Sequence, residues 1–419
     1  MSPKRFDALM AATNIDERDP YGLITTEIFI NPHPLYHMLR YNEPVHWSEL
    51  LNAWILTRYD DVIAALKNPI FSNAARRAVG TAMMPREVRE KMEPIDGFLR
   101  LWTLNLDDPE HHALRVLLSK AFTPRAMEAM KPRIEATVDE LLDAIAPYHK
   151  TEFVSQVAHP LPVRMIGEIF GVPEEGREQL ANWSKHISAF FELGPGRPEV
   201  LDNMILAVQE LTDYLRSVVA EHRRTPQDNI LGALIRAEEE GRFLSEDQLL
   251  ATCGMILFAG HDSTVNLLSN GMLLLLQHPE QLELLRQKPE LIRTAVDEFL
   301  RFEPPVMRHD RVLLEDVQID GKTLRAQQRV ILGIGAANRD PSRFTNPDLF
   351  VISRQNNNRH LTFGYGAHAC LGAALSCYQA EILTLKVLER FPDIRLAREP
   401  FIWRQHFNFR GLRKLPLEF

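Results

Sequence analysis

Apolar residues recur at helical spacing over most of the chain, with Gly and Pro punctuating the runs, and this pattern predicts a mainly helical protein. From Pro124 to Leu193 the periodicity is helical, and Gly171 and Pro173 stop one of these helices. Phe190 to Pro198 then reads as a turn-rich connection between two long helices, and it carries two aromatics, Phe190 and Phe191. These line a substrate channel or pack beneath the connection as a lid. Ser245-Glu246-Asp247-Gln248 has the form of a capping box, and an unusually long apolar helix follows it towards His278-Pro279. His261, Asp262, Asn266 and Asn270 break its apolar surface, so it reads as a helix buried in protein rather than in a membrane. Ala259 to Thr264 reads as an interruption of that helix. A helix carrying Glu298 and Arg301 ends before Pro304-Pro305, and another runs from Leu371 to Arg390, with Pro392 just beyond it.

Strand signals are fewer. Trp54 to Thr57 reads as a strand running into a helix that begins near Tyr59 and ends before Pro69, and Arg311 starts a hairpin whose turn is Asp320-Gly321. A last hairpin lies between Phe409 and Pro416, with its tip near Asn408. Phe71 to Asp107, with Gly80, Pro85, Pro94 and Gly97, is weakly patterned and is expected to be a long loop with one amphipathic piece around Arg86 to Met92. No Gly/Ser-rich linker, charge block or repeat divides the sequence. The expectation is a single domain over 1–419, mainly α with a smaller β-rich region.

Composition narrows the function. Of 419 residues, 45% are hydrophobic and 25% charged, and the net charge of −8 gives no support for nucleic-acid binding. Three cysteines leave a remainder in any disulfide framework and fall short of the four usual for an iron-sulfur cluster, which fits a reducing cytoplasm. Met1 to Asp19 contains no signal-peptide core and no membrane anchor.

The candidate chemistry centres on Phe363-Gly-Tyr-Gly-Ala-His-Ala-Cys-Leu-Gly372. Gly364 and Gly366 allow a tight loop to lie against something flat. Cys370 falls at the start of a helix, where free N–H groups and the helix dipole favour a thiolate, a strong metal ligand. Cys253 and Cys377 read as inert buried thiols. His111 and Arg115, four apart on a helix opened by Asp107-Asp108-Pro109, share one face and suit a bound carboxylate if they are not simply solvated. Asp262 beside Ser263 and Thr264 in the middle of an apolar helix is costly without a task, although a structural polar kink is the other reading. Glu298 and Arg301, three apart, form a helical ion pair.

The spacing Phe-Gly-x-Gly-x-His-x-Cys-x-Gly resembles the haem-binding loop of the cytochrome P450 family, and further matches run from about Trp54 to Pro416. The resemblance implies the P450 fold, a helical prism enclosing haem b (iron protoporphyrin IX). It implies that Cys370 is the axial iron ligand, framed by Phe363, Gly364, His368 and Gly372, and that His111, Arg115, Arg311 and His368 clamp the propionates. Ala259 and Gly260 would let haem or O2 approach the long helix. Asp262 and Ser263 would deliver protons for oxygen activation. Most members carry threonine at the second of these positions, so Ser263 is a departure that Thr264 would partly cover. Glu298 and Arg301 match a buried structural Glu-x-x-Arg. The region Phe71–Asp107 would cover the substrate, with Phe190, Phe191, Val306, Met307, Arg308, Asn408 and Phe409 lining its pocket and Arg308 meeting a polar or acidic end if it points inward. The implied activity is reductive activation of O2 and oxidation of a mostly apolar small organic molecule, free or carrier-tethered. No Gly-x-Gly-x-x-Gly follows a strand, so electrons would come from a separate ferredoxin or flavodoxin with its reductase, docked by Lys120 and Arg125. A peroxide-driven haem enzyme and a non-catalytic haem sensor are the competing classes.

Overall fold

The computed structural model describes residues 26–193, 197–227, 229–240 and 245–419. The readings of Met1 to Asp19 and of the connection at 194–196 lie outside them. The organising element is the Glu246–Gln277 helix. Its start is fixed by the capping box: the Gln248 N–H donates to Ser245 Oγ at 3.2 Å, and the Ser245 N–H donates to Gln248 Oε1 at 2.9 Å. Helices Pro160–Phe170, Glu174–Leu193, Pro198–Arg224 and Ala373–Arg390 pack around it. This burial explains why it is apolar nearly all round. Of its polar breaks, Asn270 Nδ2 donates to the carbonyls of Arg410 at 3.0 Å and Glu303 at 3.3 Å, whereas Asn266 is buried with neither amide atom paired among the described residues.

Two expectations need correction here. The long helix is not interrupted at Ala259–Thr264: Ser263 Oγ and Thr264 Oγ1 donate back to the carbonyls of Ala259 at 2.8 Å and Gly260 at 3.0 Å, so the hydroxyls are satisfied without breaking the helical ladder. Nor is Phe71–Asp107 mostly loop. It holds helices Asn73–Met83 and Arg86–Arg100. Ser72 caps the first by accepting from the Ala75 N–H at 2.8 Å. In the second, Met92, Ile95 and Leu99 face the core while Pro94 and Gly97 lie on the exposed side, so packing overrides two poor helix formers.

The β region is small. Its main sheet has the order Val45–Ser48, Ala53–Leu56, Arg329–Gly333, Arg308–Leu313, Phe71–Ser72, in which Ala53–Leu56 and Arg329–Gly333 run parallel and the other pairs antiparallel. The Tyr59–Lys67 helix covers it through Val62 and Ala65, as the strand-to-helix pattern predicts. Asp320 and Gly321, at φ 51° and 74°, make the expected two-residue turn between Val317–Ile319 and Lys322–Leu324. At the C-terminal end, Ile402–Trp403 pairs with Leu412–Lys414, and the tip between them carries His406, Phe407, Asn408 and Phe409. Among the described residues no helix is long and apolar enough to cross a membrane.

Candidate active site

The loop before the Ala373–Arg390 helix is folded by its own backbone. The Cys370 N–H donates to the Phe363 carbonyl at 2.8 Å and the Gly364 N–H to the Leu361 carbonyl at 2.8 Å. Gly366 has φ 74°, and a side chain there would meet the Leu66 carbonyl oxygen at 3.1 Å, so both conformation and close approach require glycine. Phe363 is anchored against the main core and lies 5.5 Å from the His360 ring.

Cys370 precedes the first helical turn by two residues, and its Sγ lies where the N–H groups of Gly372 and Ala373 point at it. Although the residue is open at the surface, the protein packed around its sulfur outweighs these donors and the nearby Arg115 and raises the thiol above its ordinary value. The helix end alone therefore does not produce the thiolate expected from sequence. Ligation of a metal cation, which displaces the proton, would. Cys253 and Cys377 are buried and pushed up to about 12 by desolvation.

Several observations test whether the site fits a haem. Cys370 is exposed, as is Ala259 in the middle of the otherwise buried long helix, and the two helices concerned pack against each other. A side chain added at Gly372 would meet nothing within 4 Å. Beside this uncovered surface lies a concentration of basic side chains. The rings of His111 and His368 are 3.8 Å apart, and burial together with His111, Arg311 and Arg115 pushes His368 down to about 3. Arg311 is itself lowered to about 10, by burial and by the charge of Arg76. His111 Nε2 is buried without a partner. Arg115 donates to the Ala369 carbonyl in the cysteine loop, and Arg311 Nη1 to the Asp310 carbonyl at 2.8 Å. Asp107, Asp108 and Asp310 stand nearby and offset part of this charge, with Asp108 Oδ1 3.4 Å from His111 Nδ1, and two further carboxylates beside a metal-binding thiol fit the remainder well. Sequence reading missed two members. His309 shares a strand face with Arg311 by the period of two and is depressed to about 3, by burial and then by Arg311 and Arg76. Arg76, on the Asn73–Met83 helix, joins from a segment read as loop.

Behind the loop, Arg301 and Glu298 are wholly buried and pair bidentately, Nε to Oε2 and Nη2 to Oε1, both at 2.8 Å. Arg354, which no local pattern marked, donates from Nε to the same carboxylate at 3.1 and 3.2 Å. Arg301 Nη1 also reaches the carbonyls of Asn338 at 3.0 Å and Pro347 at 2.9 Å, while Asn338 Oδ1 accepts from the Leu361 N–H at 2.7 Å. This chain of bonds runs from the ion pair to the start of the cysteine loop.

On the long helix, Asp262 lies 3.5 Å from Arg404 of the C-terminal hairpin. Burial raises its carboxyl, but the charge of Arg404 outweighs burial and holds it below the usual carboxylate value. His261 is fully buried, with Nδ1 2.8 Å from Ser184 Oγ and its ring 4.4 Å from that of His159; burial pushes it down to about 4, so it is neutral at neutral pH. Ser263 and Thr264 follow in the helix. A side chain at Gly260 would meet Ile166 at 3.4 Å, an ordinary contact, so packing does not demand glycine there, and the half-buried Gly260 and the exposed Ala259 together present a small surface.

The pocket candidates separate. Phe190 and Phe191 belong to the end of the Glu174–Leu193 helix rather than to a loop. Phe190 is buried in the main core, whereas Phe191 lies 5.0 Å from Phe258 and 6.3 Å from Trp102. Trp102 and Phe98, 6.3 Å apart, complete an aromatic group next to Ala259 that sequence reading did not mark, because it assigned their segment to loop. Met307 packs away from the other pocket candidates, against Tyr36 and Ala336. Val306 pairs with Phe409, the Met307 N–H donates to the Asn408 carbonyl at 2.8 Å, and Arg308 stacks on Phe407 at 3.3 Å. Lys120 and Arg125 are exposed at the end of the helix that carries Arg115 and just beyond it.

The sequence model of the family described as Cytochrome P450 matches residues 86–394. A Bacillus subtilis (strain 168) protein named biotin biosynthesis cytochrome P450 is 39% identical over 397 residues, covering 94% of this chain and 98% of that protein. Polyketide biosynthesis cytochrome P450 PksS of the same organism is 38% identical over 409 residues, covering 95% and 97%. Among solved structures, P450BioI in complex with hexadec-9Z-enoic acid ligated acyl carrier protein matches with a TM-score of 0.86 at 37% identity, covering 94% of this chain and 100% of that one.

Proposed function

This chain belongs to the cytochrome P450 family and is a haem-thiolate monooxygenase, and from that premise we propose that it holds haem b on Cys370 and oxidises a mostly apolar organic molecule in secondary metabolism. The observation that carries the assignment of residues is the grouping of His111, Arg115, Arg311 and His368, now with Arg76 and His309, beside the exposed Cys370. When bound, such a haem supplies reductive activation of O2 and transfer of one oxygen atom, and thiolate donation favours O–O cleavage. The protein's own residues do the rest. The basic group holds the carboxylates of the cofactor by charge-assisted hydrogen bonds. Phe98, Trp102, Phe191 and Phe258 keep water from the surface beside Ala259 and offer apolar contact to substrate. Asp262 stays ionised against Arg404 and relays protons towards Ser263, whose hydroxyl both accepts and donates.

Electrons come from a ferredoxin or flavodoxin with its reductase, drawn to Lys120 and Arg125, in a cytoplasmic setting. The acyl carrier in the P450BioI complex supports a substrate presented either free or carrier-tethered. The test is turnover with ferredoxin, its reductase and isotope-labelled O2. One labelled oxygen atom per product is expected. Product formed only with added peroxide would support the peroxygenase reading instead, and reduction with O2 binding but no product would support a sensor.

The relay gives a second expected result. Asp262→Asn loses the charge that Arg404 holds and should slow turnover by about a hundredfold, the lower end of the range for general acid–base groups. Ser263→Thr, by restraining the rotamer, should raise the share of reductant that ends in product, and Ser263→Ala should lower it in favour of peroxide. Peroxide and product measured together check this. Unchanged rate and coupling in both Asp262→Asn and Ser263→Ala would move the relay elsewhere, with Thr264 the next candidate.

A further inference from the structure

We propose that Arg308 is the recognition group for a carboxylate on the substrate, so that this enzyme takes a free acid with an apolar body. The inference rests on the monooxygenase reading and goes beyond it by naming the charged end. Among the described residues, Arg40, Arg301, Arg308, Arg311, Arg339 and Arg410 are buried. Arg301 is held by Glu298, and Arg339 and Arg410 by Glu303 at 3.3 and 2.8 Å. Arg40 donates to the Ala336 carbonyl at 2.8 Å and lies near Asp340 and Asp348. Arg308 and Arg311 are the two with no ion pair that neutralises them. Arg311 stands in the basic group beside Cys370. Arg308 begins the same strand three residues earlier, so the period of two turns it to the opposite face, away from that group.

An arginine keeps its charge when buried, and the cost of desolvating it is offset only by an anion or a full set of acceptors. Arg308 is 8% exposed, its Nε is buried with no acceptor, and among the described residues no hydrogen bond holds its guanidinium. What holds it is the face of Phe407, 3.3 Å from the guanidinium carbon to the ring centroid. Stacking fixes the plane and leaves the donor edge free, which is the arrangement that accepts a carboxylate bidentately. The strand start is laced to the C-terminal hairpin tip by the Val306–Phe409 pairing and the Met307-to-Asn408 hydrogen bond. His406 on that tip feels the charges of both Asp262 and Arg308, so Arg308 stands within electrostatic reach of the side on which Asp262 lies. Asp262 itself is engaged by Arg404. The acid that completes Arg308 therefore arrives with the ligand. A thioester on a carrier has no such charge.

The test uses the haem-loaded enzyme and calorimetric titration with decanoic, dodecanoic and tetradecanoic acids against the primary alcohols of the same length. At least one acid should bind about tenfold or more tightly than its alcohol, the ratio that one charge-assisted pair supplies. Arg308→Gln should erase the preference while changing alcohol affinity by less than about twofold, and Arg308→Lys should keep part of it. Equal binding of every acid and its alcohol by the wild type, or a preference that survives Arg308→Gln, overturns the proposal. Where Arg308→Gln fails to fold, the wild-type series and the lysine variant decide. The monooxygenase reading fails separately, on the labelled-oxygen result, which does not depend on the acid preference.

Discussion

Glu298→Ala should cost this protein most of its stability and its capacity to hold cofactor. The carboxylate is wholly buried and accepts from Arg301 Nε and Nη2, from Arg354 Nε and from the Val351 N–H at 3.0 Å. Deleting it leaves two guanidinium groups deep in the protein without an anion, and removing one partner of a buried pair costs about 3–5 kcal/mol. Against a total stability on the order of 5–15 kcal/mol, that is a large share. The damage should also travel. Arg301 holds the Asn338 carbonyl, and Asn338 holds Leu361 by its Oδ1 and Thr362 Oγ1 by its Nδ2 at 2.9 Å, just ahead of the cysteine loop. Urea unfolding and haem content together check the prediction. Glu298→Gln, which keeps an acceptor but loses the charge, should fall between wild type and alanine. An alanine variant with wild-type unfolding midpoint and full haem content would remove Glu298 from this role.

Local pattern carried much of the fold. The capping box at Ser245, the stop at Gly171 with φ 61° and the Asp320-Gly321 turn are short-range signals, and each is made by the residues that announce it. The helices at Asn73–Met83 and Arg86–Arg100 were not legible, because Gly80, Pro94 and Gly97 lower local propensity and only the buried faces at Met92, Ile95 and Leu99 restore it. Losing those helices also hid Arg76 and the Trp102 aromatic group. At the site, the cysteine loop is contiguous and could be read directly. The basic group is not: His111, Arg311 and His368 come from three separate segments, and their repulsive crowding exists only after folding. Arg404, which holds Asp262, is likewise remote in sequence from the acid. Met307 and Phe190 were misplaced because an apolar residue near a pocket and one in the core look alike in sequence.

Cys370→Ala should abolish monooxygenation altogether. The other two thiols cannot replace it, since Cys253 and Cys377 are buried and held protonated to about 12. Removing one small side chain from an exposed position leaves no cavity in the core, and the loop keeps its backbone bonds, including Cys370 N–H to the Phe363 carbonyl. Fold and unfolding midpoint should therefore stay near those of the wild type while turnover falls to background. Haem, if retained by the basic group, would lack its thiolate. The most direct measurement is the absorption spectrum of the reduced, carbon monoxide-bound protein, recorded for wild type and Cys370→Ala side by side. Wild type should show the red-shifted band of a thiolate-ligated haem and the alanine variant should lack it; a band that persists in Cys370→Ala, or that is absent from haem-loaded wild type, would contradict the assignment.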